Sequence, residues 1–346
     1  MTEEHLDLLD DSGQAGVAEL RGALLDVLGG GVPPASILGQ QRLKSRVFRL
    51  RVETDGGTRS LIVKRLDPAT ARRNQLVAER WLPLMGLGDV APAVLGVAAD
   101  RNGRWSWHIH EDLGDWNLKG ENDPARVKVA LEAIGRLHTL AAEHPLLPEC
   151  RRQGGDLGIH YFASNLRDAV RGLAALQPPH VDLSAERADL RDRLLARLHR
   201  LLDDQPRRAQ ALEEFGGPET LLHGDLWTTN TFVVPTPDGL RAKLIDWDHA
   251  GVGPVSYDLS TFLYRFPAGL RPWMLDCYRE AVRKAGWRLP GRSELNLLFD
   301  TAECARYANR VIWPVMAFLQ ERADWAFAEL AEVDGWFEAL EPVLPA

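Results

Sequence analysis

The strongest constraint on this chain is a pair of polar loops flanking a stretch that reads as a β-hairpin. The first loop is His223-Gly224-Asp225-Leu226-Trp227-Thr228-Thr229-Asn230 and the second is Asp246-Trp247-Asp248. Leu221-Leu222 leads into the first loop and Thr231-Phe232-Val233-Val234 leaves it as a strand. Pro235-Thr236-Pro237-Asp238-Gly239 supplies turn chemistry, and Leu240 to Ile245 runs back. Pairing of the two strands sets their outer ends side by side. Asn230 and Asp246 then come within reach of one cation, with Asp225 just upstream.

This set of groups suits phosphoryl transfer. Asp225 can accept the proton of an attacking hydroxyl, while Asn230 and Asp246 offer the oxygen ligands that Mg²⁺ favours. A carboxamide at position 230 avoids a third anion beside nucleotide phosphates. A lone Asp-x-x-x-x-Asn carries little information, because both residue types bond their own backbone in turns. The combination carries more. HGDLWTTN followed by IDWD resembles the catalytic loop and metal-binding motif of the aminoglycoside phosphotransferase/choline kinase-like small-molecule kinases, relatives of the protein kinases. The resemblance is specific over residues 221–258 and diffuse over the rest of Ile37–Asn309.

The resemblance implies an α+β, protein-kinase-like two-lobed fold: a small antiparallel sheet with one helix, a hinge, and a larger, mainly helical lobe. The corresponding divisions are an N-terminal helical segment 1–36, a nucleotide-binding lobe 37–110 and a catalytic and substrate lobe 111–346. It also implies that Lys64, after the strand Leu61-Ile62-Val63, steadies the α/β phosphates and is held by Glu79 on the following helix. Without the resemblance, Lys64 reads as a strand-end lysine reaching water. Gly39 to Arg46 falls where the family covers the phosphates, but the stretch has a single glycine. Ser45 is the candidate phosphate contact there, and Lys44 is either a second one or a surface lysine. Trp107 to Gly114 resembles the hinge, where the backbone at His110, Glu111 and Leu113 would bond the purine; Glu111 and Asp112 otherwise read as polar linker residues. Asp258 has a family counterpart that bonds the catalytic-loop backbone. His138 and His223 read as bracing residues. Asp248 is left open between metal ligand, substrate contact and solvated loop residue.

The rest of the chain follows from periodicity. Residues 15–28 predict an amphipathic helix ended by Gly29-Gly30-Gly31 and Pro33-Pro34. Phe48, Leu50 and Val52 alternate with Arg49, Arg51 and Glu53 as in a half-buried strand, and Asp55 to Thr58 turns into the next. Pro68–Leu87 reads as a helix whose Arg72 and Arg73 form a solvated face. Strands are expected over 93–98 and 104–110, and helices from Asp123 onward, over 159–176 and over 184–202. Ala250 to Pro254 reads as a loop. Trp273, Trp287, Trp313, Trp325 and Trp336 read mostly as core, in a C-terminal region that the resemblance implies should decide specificity.

Composition excludes other classes. A net charge of -8 argues against a general nucleic-acid surface, and no apolar run reaches the length of a membrane span. The acidic start, Met1 to Gln14, is the opposite of a secretory signal, and three scattered cysteines without a CxxC read as reduced thiols. A cytoplasmic protein is expected. Its expected activity is Mg²⁺-dependent transfer of the γ-phosphoryl group of ATP or GTP to a hydroxyl of a small molecule, such as an aminoglycoside or related antibiotic. Alternatives are a sugar, fructosamine or amino-alcohol kinase and a catalytically silent nucleotide-binding protein. A metal phosphohydrolase would need further His and Asp ligand motifs that are not present.

Overall fold

The computed structural model describes residues 14–29, 37–54, 57–121, 123–178 and 181–345. Gly30-Gly31, Pro33-Pro34, the acidic residues before 14, and Asp55-Gly56 of the expected turn lie outside them. The first elements are α1 (Val17–Val27), β1 (Ile37–Lys44), β2 (Val47–Thr54), β3 (Gly57–Leu66) and α2 (Pro68–Leu76). Then follow β4 (Val94–Ala99), β5 (Ser106–Glu111), α3 (Pro124–Ala141), α4 (Leu147–Gly154), α5 (Ile159–Ala174), α6 (Ala185–Asp203) and α7 (Gln205–Phe215). The last are β6 (Glu219–Leu222), β7 (Thr231–Thr236), β8 (Gly239–Leu244), β9 (Gly251–Pro254), α8 (Ser256–Tyr264), α9 (Arg271–Arg283), α10 (Arg292–Glu321) and α11 (Ala326–Glu338).

These elements form two compact units. One holds the described residues up to Ala133 together with Thr228–Ala250; the other holds Ile134–Trp227 and the described residues from Gly251 on. This differs from the three segments expected from sequence. The β7–β8 hairpin belongs with the N-terminal sheet because Leu244 N–H donates to Val90 O at 2.7 Å and Val233 N–H to Trp116 O at 2.9 Å.

In the first unit an antiparallel sheet has the strand order β1-β2-β3-β5-β4. Alternation along β2 and β3 aims Phe48, Leu50, Val52, Leu61 and Val63 at one side, where they pack with Val17, Leu20 and Leu24 of α1 and with Trp107 and Ile109. The opposite side is left with Arg49, Ile62, Lys64, His108 and His110. Gly39 to Arg46, which falls where the family has its phosphate-covering hairpin, is strand and turn: β1 extends to Lys44 and Ser45-Arg46 makes the turn into β2. Helix α2 starts well: Asp67 caps it by accepting from Thr70 N–H at 3.0 Å, with Pro68 at its first position. It runs on through a π-helical turn at Val77–Trp81 to Leu84.

In the second unit, α5 and α10 cross closely; a Cβ on Gly172 would lie 2.9 Å from Val315 Cγ1. Their apolar stripes, with α6 and α11, enclose a core containing Leu166, Leu173, Leu194, Ala308, Val311 and Leu330. The expected loop at 250–254 is instead strand β9, paired antiparallel with β6 from Glu219↔Pro254 to Leu222↔Gly251. Its two glycines mislead a propensity reading, but they are what the site requires. A Cβ on Gly251 would sit 2.9 Å from Leu157 Cγ. The C-terminal tryptophans also depart from expectation. Trp313 is 69% exposed and Trp325 44%, while Trp273, Trp287 and Trp336 are half-buried. Among the described residues the fully buried tryptophans are Trp81 and Trp107. Among the described residues no helix is long and apolar enough to cross a membrane, and no disulfide joins Cys150, Cys277 or Cys304.

Candidate active site

The outer face of the N-terminal sheet opens on a cavity of about 350 Å³. Its walls are mainly apolar: Val47, Ile62, Ala78, Ala91, Phe232 and Ile245. Polar groups converge at one end, where Lys64, Asn74, Asn230 and Asp246 line it. An apolar slot with a few placed polar groups is the usual form of a small-molecule site. A second cavity of about 230 Å³ adjoins Lys64 and is lined by Lys44, Ser45, Arg46, Asp246 and Asp248.

The hairpin builds the polar end. Thr231↔Leu244 is its last paired position, and Ile245 N–H donates to Asn230 O at 2.9 Å. Asn230 and Asp246 therefore flank the open end of one ladder. Asp246 adopts a left-handed backbone, φ 67° and ψ 57°, which is uncommon outside glycine and collects at functional positions. Trp247 locks that turn from beneath: it is buried, and its indole N–H donates to Leu244 O at 2.9 Å.

Lys64 Nζ lies 2.5 Å from Asp246 Oδ1 and 2.9 Å from Asp248 Oδ1. Asp248 also accepts from Asn74 Nδ2 at 2.8 Å, and its carbonyl accepts from the Arg73 guanidinium. Burial alone would lower the Lys64 pKa, but the two carboxylates outweigh it and raise it. Burial pushes the Asp246 carboxyl up, yet the Lys64 ammonium brings it down to about 2. Asp248 moves the other way, raised by burial with Lys64 opposing and Asp246 adding. The result is an ionised Asp246 beside a buried carboxamide, both hard oxygen donors of the type Mg²⁺ takes. The donor chemistry fits that ion.

Several expectations are corrected here. The Lys64–Glu79 pair is absent among the described residues: Glu79 is exposed on the π-helical turn and accepts from Gln75 at 2.9 Å. The helix residues that reach the lysine's surroundings are Arg73 and Asn74, one turn earlier. Arg73 is therefore not a solvated residue, and Asp248 is not a solvated loop carboxylate. Sequence reading passed over Asn74, whose only signal was its position in the helix after Lys64. Glu111 and Asp112 are not idle linker residues either. Glu111 pairs with Lys243 and accepts from Ala93 N–H at 3.0 Å. Asp112 forms an ion pair with Arg49 at 2.8 Å and accepts from Ser60 Oγ at 2.6 Å and Gly114 N–H at 2.9 Å. His110, Glu111 and Leu113 line the larger cavity and Ser45 the smaller. Sequence reading also gave no notice of His108, which is fully buried with neither ring nitrogen hydrogen-bonded. Burial, with the Lys64 charge, lowers it to about 4; burial, with the charges of His108 and Lys64, lowers His110 to about 3.

In the second unit, the chain leaving β6 is clamped by Asp258 near the start of α8. Its carboxylate accepts from His223 N–H at 2.7 Å and Gly224 N–H at 2.9 Å, as expected from sequence. His138 Nε2 lies 3.4 Å from the same carboxylate and its Nδ1 2.8 Å from Tyr278 OH. Burial favours protonation of Asp258, but the hydrogen bond and charge of His138 outweigh it and hold the pKa low. His223 Nδ1 accepts from Asp225 N–H at 3.3 Å. Gly224 has φ 82°, a left-handed turn that brings the half-buried Asp225 out of the strand.

The sequence profile of the phosphotransferase enzyme family (APH) matches residues 42–298. No curated protein sequence matches significantly. Among solved structures, the fold is similar to spectinomycin phosphotransferase APH(9)-Ia in complex with ADP and spectinomycin, with TM-score 0.61, 15% identity and 96% of each chain covered. It is similar to a Plasmodium vivax ethanolamine kinase, with TM-score 0.57, 12% identity, and 87% of this chain and 82% of that one covered. It is also similar to an APH(2") structure with GDP and kanamycin, with TM-score 0.57, 14% identity, and 91% and 97% covered.

Proposed function

The chain belongs to the phosphotransferase enzyme family, and from that premise we propose that it transfers the γ-phosphoryl group of ATP or GTP to a hydroxyl of a small molecule. The observation that carries this reading is Lys64 held against Asp246 and Asp248 at the mouth of a cavity that Asn230 also lines. That is a phosphate-binding cation beside a hard-oxygen metal pair.

Asn230 and Asp246 would hold Mg²⁺, whose contribution when bound is to neutralise the phosphate oxygens. Lys64 steadies the phosphates, Ser45 faces them from the β1–β2 turn, and the backbone of 110–113 takes the base. Asp225 accepts the proton of the acceptor hydroxyl. That oxygen forms its bond to the γ-phosphorus as the bond to the β–γ bridging oxygen breaks, and the nucleoside diphosphate leaves with that electron pair. Most of the rate gain comes from positioning and charge neutralisation. Spectinomycin, kanamycin and ethanolamine, named with the similar structures, define the starting acceptor panel, with sugars and fructosamines beside them.

The test is Mg²⁺-dependent ADP or GDP release across that panel, together with calorimetry of nucleotide binding. Stimulation by an acceptor class supports the kinase. Tight nucleotide binding without stimulation by any acceptor favours the silent nucleotide-binding alternative, and absence of nucleotide binding sinks the proposal.

A further inference from the structure

Two residues past Asp225 the loop turns on a short bond, Trp227 N–H to Asp225 O at 2.8 Å. Leu226 is fully buried beneath it, while the Trp227 indole is 38% exposed. The Arg265 guanidinium, just past the end of α8, lies over that ring, 3.8 Å from its centroid. Among the described residues the Arg265 side chain has no carboxylate and no hydrogen-bonded carbonyl. Its neighbours are committed elsewhere. Glu303 is buried and held by Arg306 at 2.5 Å and Ser260 at 2.8 Å. Arg271 donates to the carbonyls of Phe266 at 3.0 Å and Val343 at 3.1 Å. Tyr307 shares the neighbourhood: burial and Glu303 push its phenol up, and the Arg265 charge opposes them.

We propose that the acceptor is an anionic molecule, a hydroxylated carboxylate or phosphate ester, and that Arg265, held flat on Trp227, is the residue that recognises its charge. This rests on the phosphotransfer reading above and adds the class of substrate. The argument is one of geometry and sign. Stacking on an indole fixes the guanidinium plane while leaving its N–H fork free at the edge, the form that takes a carboxylate or phosphate in two parallel hydrogen bonds. The ring that fixes it is two residues from the proton acceptor, so a bound oxyanion is anchored beside the hydroxyl to be phosphorylated. An amine acceptor would meet the same guanidinium as a like charge with no acid on Arg265 to screen it.

The experiment compares acceptors of similar size and different charge in the Mg²⁺-nucleotide assay: gluconate with glucose and glucosamine, glycerate with glycerol and ethanolamine, and glucose 6-phosphate as the phosphate ester. The expected result is kcat/KM at least tenfold higher for an acid than for its uncharged partner, and the responding pair tells carboxylate from phosphate. Arg265→Gln should cut the acid-to-neutral ratio at least tenfold, mainly through KM. Arg265→Lys should restore part of it, and Arg265→Glu should turn preference toward the amines. Acids no better than their partners, including no stimulation by either, overturn the inference, as does a ratio that Arg265→Gln leaves unmoved. In these cases intact nucleotide binding by calorimetry leaves the kinase reading standing; its absence overturns both.

Discussion

At the scale of single residues, charge balance decides what each group can do. Lys64 is buried enough to lose much of its hydration, and it stays charged because two carboxylates face it. Removing one unbalances the set. Asp246→Asn should weaken Mg²⁺-nucleotide binding about tenfold or more, since the proposed metal ligand loses its negative charge and with it half the lysine's counter-charge; calorimetry with and without Mg²⁺ reads it. The task proposed for Asp225 is different. Asp225→Asn keeps the shape but cannot take the proton, so transfer should fall roughly 10²–10⁴-fold, the usual range for general-base removal. Nucleotide affinity should change little, and full turnover in that variant would take Asp225 out of its role. The roles proposed for Lys64 and Asp225 start from the sequence, where each sits next to a strand or turn in a stretch that resembles known kinases. Glu79 was misassigned as the lysine's partner because helix register cannot be read to within one turn from its start.

At the scale of elements, β6, β9 and α8 act together through Asp258. One carboxylate accepts two successive backbone N–H groups from the chain that leads to Asp225. Asp258→Asn leaves a single carbonyl oxygen for both N–H groups and brings a donor toward them. It should cost about 2 kcal/mol of stability, the scale of an unsatisfied buried donor. It should also lower kcat more than it raises the nucleotide KM; equal loss in both would deny it a positioning role. Strand β9 carries a steric prediction. Gly251→Val sets new atoms against Leu157 Cγ and Gly155 O, 2.9 and 3.0 Å from its Cβ. Overpacking of that kind typically costs about 1–3 kcal/mol, measurable by denaturant unfolding.

At the scale of the whole molecule, each unit has its own core, and the chain passes between units at Ala133–Ile134, Trp227–Thr228 and Ala250–Gly251. No single contiguous segment therefore holds either unit. Global stability should also carry an acid-sensitive component. His108 has a folded pKa of about 4, against about 6.5 when unfolded. Between those values the unfolded chain binds more protons, so stability is full above pH 6.5 and falls as pH drops toward 4. The loss is about 2 kcal/mol at pH 5 for this group alone. His110, at about 3, acts in the same direction. His108→Leu should flatten the dependence and be near neutral at pH 7, because neither ring nitrogen has a partner to lose. A variant as acid-sensitive as the parent would refute this.

The sequence alone determined what depends on local period and on spacing along the chain. The alternation Phe48, Leu50, Val52 gave the sheet its buried face, turn chemistry at Pro237-Asp238-Gly239 gave the hairpin, and the hairpin put Asn230 and Asp246 at one end. The family, the phosphotransferase activity and the Asp258 clamp were legible on another ground, the resemblance of HGDLWTTN and IDWD to the motifs of known small-molecule kinases. Tertiary structure decided which distant groups meet. Lys64 chose carboxylates 182 and 184 residues away over one on the next helix, β9 formed from glycines that propensity disfavours, and the C-terminal tryptophans stayed at or near the surface. Arg265 came to rest on Trp227, a pairing that no periodicity encodes. Local pattern specifies which face of an element is apolar. Which two charges or rings then lie within 4 Å depends on how long side chains from several elements fill the same space, a property of the packed molecule and not of any window of its sequence.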